Sequence, residues 1–141
     1  MFGVMNNPAG AYRKAGVETK VETATPHELV IMLYEGALTA IMAAGVQIQE
    51  QKITEKGQSI GRAIDIIDGG LKACLDYQAG GEIAERLGAL YEYMCNRLLH
   101  ANLHNDLAAL DEVAKLLREL KGAWEEIAAD PAVVSRNKAV A

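Results

Sequence analysis

The chain has 141 residues, half of them apolar and 23% charged, with a net charge of −5. That is the size of one domain with one substantial core, and it is not the composition of a disordered chain. The acidic balance and the lack of a basic run argue against nucleic-acid binding, which needs clustered Lys and Arg, and suit a cytosolic protein.

The start, MFGVMNNPAGAYRKAG, has neither a basic n-region nor a continuous apolar core, so it does not read as a signal peptide. Residues 1–20 are expected to form a mobile amino-terminal cap segment, with Tyr12 as an aromatic able to fold down over apolar surface. The helical core is expected over 21–130 and a flexible tail over 131–141.

The first helix, Thr25 to Val46, opens with a capping box: Thr25 as cap, Pro26 at the first position and Glu28 three residues after the cap. It then stays apolar almost all the way round. At 100° per residue, Leu29, Met32, Leu33, Gly36, Ala40, Ala43 and Ala44 fall on one face. Ile31, Tyr34, Leu38, Ile41 and Met42 fall opposite. The stretch is long enough for a membrane span, but Glu35 sits near its centre, flanking Lys and Arg do not cluster, and no second such run follows. A protein-facing helix fits better.

Thr54 and the Gly57 to Ser59 region predict a turn, after which Ile60, Ala63, Ile64, Ile67, Leu71, Cys74 and Leu75 make the face of a second helix. Gly69 and Gly70 inside it predict either a close neighbouring backbone or a kink. Gly80 and Gly81 break the chain before a third helix, with Ile83, Leu87, Leu90, Tyr91, Met94, Leu98 and Ala101 on its face and its end near Asn102. Asn105 is the expected cap of a fourth helix striped by Leu107, Leu110, Val113, Ala114, Leu117, Leu120 and Trp124, stopped by Asp130 and Pro131. The expected fold is all-α, an antiparallel up-down four-helix bundle with a short amino-terminal helical or extended cap segment.

Residues that would carry catalysis, a cofactor or a metal are not assembled. None of the three histidines follows a Glu by three positions, as di-iron bundles need, and His100 and His104 lack a third ligand. His27 reads as a surface residue in the first turn of its helix. The glycine pairs are not followed by Gly-Lys-Ser or Gly-Lys-Thr, and Cys74 and Cys95 occupy apolar helical positions as two reduced core thiols. No enzyme is expected.

Taken in order, Ala11-Tyr12, Pro26-His27-Glu28-Leu29, Met32 to Ala37, Ala63 to Asp68, Leu71 to Asp76, Gly80 to Ala84, Leu90 to Met94, Leu98-Leu99, Ala101 to Leu103 and Ala123-Trp124 resemble the flagellar secretion chaperone FliS family across most of the chain. One departure is Glu85-Arg86, where that family usually has Asn just before the leucine that falls here at Leu87. The resemblance implies a cytosolic export chaperone. It would bind the disordered carboxy-terminal segment of flagellin, prevent premature polymerisation and meet an export gate component of the flagellar type III apparatus.

On that implication, the second apolar face of the first helix, Ile31, Tyr34, Leu38, Ile41 and Met42, is the expected client surface, with Tyr12 displaced from it when the client arrives. The opposing expectation is that these residues are core. A rival from another class is a structural or adaptor bundle that self-associates through the same face as a homodimer.

Overall fold

The computed structural model describes residues 24–128, and these form four α-helices: α1 (Pro26–Gln49), α2 (Ile53–Ile66), α3 (Tyr77–His104) and α4 (Leu107–Ala128). A π-helical segment, Ile67–Lys72, continues α2 without a break. The cap segment with Tyr12, the tail, and the stop at Asp130 and Pro131 all lie outside the described residues.

The side-chain ties between helices fix their directions. The Gln47 amide near the end of α1 meets the Ser59 hydroxyl in α2 at 2.7 Å. Lys56, one turn into α2, reaches the carboxyl end of α3. Arg97, late in α3, pairs with Glu112, early in α4, at 2.7 Å, and His27 at the start of α1 binds the backbone of Trp124 near the end of α4. Each tie joins an early position to a late one, so the arrangement is the up-down all-α bundle that the helical periodicity predicts.

Local chemistry accounts for most boundaries. Thr25 sits in extended backbone, accepts from the Glu28 N–H at 3.1 Å and precedes Pro26 at the first position. The α1–α2 turn is Glu50 to Lys52, with Gln51 at φ 59°, so Thr54 and Gly57 to Ser59 lie inside α2 and not in a turn as expected. Packing of Ile60 and Ala63 into the core overrides the weak helix propensity of those residues.

At Gly69 a side chain would meet nothing within 4 Å, so no neighbouring backbone approaches there; the glycines coincide instead with the π-helical register. That register turns Ile66, Ile67, Gly70 and Leu71 all inward. Asp76 caps α3 through bonds from Gln78 and Ala79 N–H groups, and the helix breaks at Gly81, whose φ of 53° and ψ of −128° suit glycine alone. Past the break, Gly88 leaves room for Tyr77 to lie against the helix: an added Cβ would come within 2.6 Å of the Tyr77 hydroxyl.

Asn105 does not cap α4. It ends α3 in the left-handed region at φ 52°, and Asp106 caps α4 by accepting from Ala109 N–H at 3.2 Å. The core then gathers Leu33, Tyr34 and Ala37 from α1, Ile60, Ile66 and Ile67 from α2 and its extension, Tyr91, Met94 and Leu98 from α3, and Val113, Leu117 and Trp124 from α4. Ile83, expected on the α3 core face, is exposed, because the buried stripe there runs instead through Ala84 and Gly88.

Candidate functional site

The expected division of α1 into two opposed apolar faces does not hold. Its buried apolar residues, Leu29, Val30, Leu33, Tyr34, Ala37, Ala40, Ile41 and Ala44, form one arc of about 140° at 100° per residue. The centre of this arc lies between the two faces read from sequence and takes residues from both. Tyr34 and Ile41 are therefore core, Ile31 and Leu38 are half-buried against it, and Met42 stands 61% exposed.

Tyr34 shows why a polar-tipped aromatic can sit so deep. Its hydroxyl meets that of Tyr91 on α3 at 2.6 Å, which satisfies both buried groups across the bundle. Burial pushes the Tyr34 phenol up to about 12 and raises Tyr91 as well, so both are neutral donors and acceptors.

The seam between α1 and α4 is closed at one end and open at the other. At the closed end His27, expected on the surface, is buried: its Nε2 bonds the Trp124 carbonyl oxygen and its ring lies 4.6 Å from the Trp124 ring at 59°. Burial lowers the His27 pKa below its ordinary value of 6.5, and the neutral ring donates through Nε2–H.

At the open end the two helices border a groove of about 300 Å³ lined by Ile41, Met42, Gly45, Val46, Leu107 and Leu110, with Asp111 and Arg118 on its α4 side. Met42, Val46 and Leu107 are its exposed apolar rim. Gly45 keeps the floor low, since a Cβ there would only just touch Leu107 and Leu110 at 4.0 Å. Ile31, Leu38 and Gly45 follow one another at seven-residue spacing, so the two half-buried residues continue the same edge of α1.

Of the residues singled out in the sequence, the structure thus brings Ile41 and Met42 into the groove, leaves Ile31 and Leu38 outside its lining on the same edge of α1, and places Tyr34 in the core. Val46 was missed, and Leu107 was read only as core stripe. Val46 lies in the last turn of α1 and Leu107 opens α4, so each is a core-type residue left exposed at the rim near a helix end. Elsewhere, burial raises the Cys74 thiol to about 12 and the Cys95 thiol to about 11, the opposite of a reactive cysteine. His100 contacts Asp106 at 3.1 Å, beside the α4 cap.

What this arrangement offers chemically is an adaptable apolar slot. Met42 can repack around different shapes, and Asp111 with Arg118 supplies polar contacts of both signs along one wall. Comparison with known proteins gives the slot a context. The family model described as flagellar protein FliS matches residues 5–131. The chain is 46% identical over 117 residues to the flagellar secretion chaperone FliS of Salmonella typhimurium, covering 83% of this chain and 87% of that protein. It is 45% identical to flagellar secretion chaperone FliSB of Pseudomonas aeruginosa, over 82% of this chain and 91% of the relative. To the FliS of Escherichia coli it is 41% identical, over 88% and 91%.

Proposed function

This chain belongs to the FliS family, and from that membership we propose that it is a cytosolic export chaperone holding the disordered carboxy-terminal segment of flagellin. The observation that carries the reading is the open end of the α1–α4 seam, where Met42, Val46 and Leu107 expose apolar surface beside a ready groove. An amphipathic client segment lays its apolar side chains there in a helix-in-groove mode. Half-buried Ile31 and Leu38 extend the track along α1 toward the closed end. Tyr34, bonded to Tyr91, supports the track from beneath and does not touch the client.

A client that orders only on binding uses part of its contact energy to fold, which keeps affinity low enough for release. Covering the client's apolar segment blocks its premature polymerisation, and release at an export gate component completes delivery. In this reading Tyr12, from the amino-terminal segment, covers the same track until the client displaces it.

Titration calorimetry with a flagellin carboxy-terminal peptide tests the groove. Met42→Asp and Val46→Asp each place an unpaired charge on the rim, and each is expected to weaken binding about tenfold or more. Unchanged affinity in both folded variants would falsify the groove. A chain that ignores flagellin and forms a tight homodimer in light scattering supports the adaptor alternative instead.

A further inference from the structure

At the end of the bundle where the groove opens, a second pocket of about 330 Å³ lies between the α1–α2 and α3–α4 turns. Its lining mixes Lys52 and Lys56 with the amides of Gln47, Gln51 and Asn105 and the side chains of Ile48 and Ile53. In a chain of net charge −5, this pocket is bordered by two cations and no carboxylate.

Lys56 is only 6% exposed, and its Nζ donates to the Asn102 carbonyl oxygen at 2.9 Å and to Asn105 Oδ1 at 2.7 Å. Both partners are neutral, and among the described residues no carboxylate lies within ion-pair distance of it. Bonding the end of α3 accounts for Lys56 by itself. It does not account for the polar cavity beside it, nor for Lys52 on its rim. Lys52 touches Glu50 at 3.2 Å in solvent, a pairing weak enough to exchange for a better one.

The pocket and the groove share no lining residue, but both lie at the carboxyl end of α1 and near the start of α4. Gln49 lines one while Ile48 and Gln51 line the other, and Leu107 borders the groove two residues after Asn105 borders the pocket. A chain that runs along the groove and past the end of α1 meets the α1–α2 turn, which carries Lys52.

We propose that this pocket binds the free α-carboxylate at the end of the client segment seated in the α1–α4 groove, with the client's last side chain between Ile48 and Ile53. The assignment rests on the client reading given above. Lys52 turns from Glu50 to the carboxylate, and the Lys56 charge and the Gln51 and Asn105 amides face it, giving the charge-assisted bonds that a terminal carboxylate needs.

Calorimetry on the full chain compares the carboxy-terminal flagellin peptide as free acid and as amide, with every side-chain carboxylate retained in both. The amide is expected to bind about tenfold more weakly, the loss of one or two charge-assisted bonds. Lys52→Ala and Lys56→Gln are expected to shrink that acid-to-amide ratio toward unity. Should Lys56→Gln fail to fold, the two peptides on the unaltered chain and on Lys52→Ala still decide. Equal binding of acid and amide overturns the carboxylate site and leaves the client reading standing. A ratio that both variants leave untouched overturns the pocket. Failure of both peptides to bind removes the client reading itself.

Discussion

The two ends of the α1–α4 seam use the same two helices for opposite purposes. At one end His27 and Trp124 interlock, and Tyr34 with Tyr91 ties the neighbouring layer, so every polar atom in those hydrogen bonds has a partner on another helix. At the other end Met42, Val46 and Leu107 face outward around a space that the described residues leave open. The closed end is where side chains contribute to stability. The open end is where apolar area is held in reserve, and the difference follows from what each helix finds opposite it, since both ends of α1 are comparably apolar.

The comparison breaks most visibly at Trp124. Truncating this fully buried side chain removes the lid of the closed end, and Trp124→Ala is expected to cost about 3 to 5 kcal/mol, read as a fall in urea midpoint. Tyr34→Phe is milder. It leaves the Tyr91 hydroxyl buried without its bond, a loss of about 1 to 3 kcal/mol, and adding Tyr91→Phe should recover part of that because the Tyr91 hydroxyl is then no longer an orphan. A double variant as unstable as the sum of the singles would show that the hydroxyl pair contributes nothing.

How much of this was legible beforehand depended on the distance over which the cause acts. The start of α1 was readable because Thr25, Pro26 and Glu28 act within one turn. The four-helix architecture was readable because periodicity repeats within each segment. The centre of the buried arc on α1 was not, since it is set by where α2 and α4 lie, and a helix apolar all round gives no internal preference. His27 looked like a surface residue because its partner is 97 positions away, and Tyr34 because its partner is 57 away. The cap of α4 was placed one position early, at Asn105, because both residue types cap helices, and only the left-handed backbone at Asn105 separates its role from that of Asp106. In the groove, Met42 and Ile41 were found from apolar excess, whereas Val46 needed the end of a partner helix that sequence does not place.

The closed end also predicts a pH dependence. The folded state lowers the His27 pKa below 6.5 through burial, against a smaller opposing effect of its bond to Trp124 and of Glu28. Below 6.5 the unfolded chain therefore binds more protons than the folded one, so stability is complete above that pH and falls as pH drops below it. Urea midpoints at pH 7.5 and 5.5 should differ in that direction, and His27→Gln should flatten the difference. Asp106 and Glu112, whose carboxyl pKa values are lowered from already acidic ordinary values, titrate below this window.

The smallest expected change in stability belongs to the open end, and it is the sharpest test of the comparison. Met42→Ser and Val46→Ser alter side chains that are 61% and 52% exposed, so each should move the unfolding free energy by no more than about 0.5 kcal/mol. If the rim is held in reserve for a client, those same changes must weaken peptide binding while the urea midpoint stays in place. Loss of stability together with binding would mean that the rim is part of the core after all, covered by chain from within the protein. Retention of both would mean that its exposure has no use. Only separation of the two readouts, binding lost and stability kept, distinguishes a reserved surface from an imperfectly closed seam.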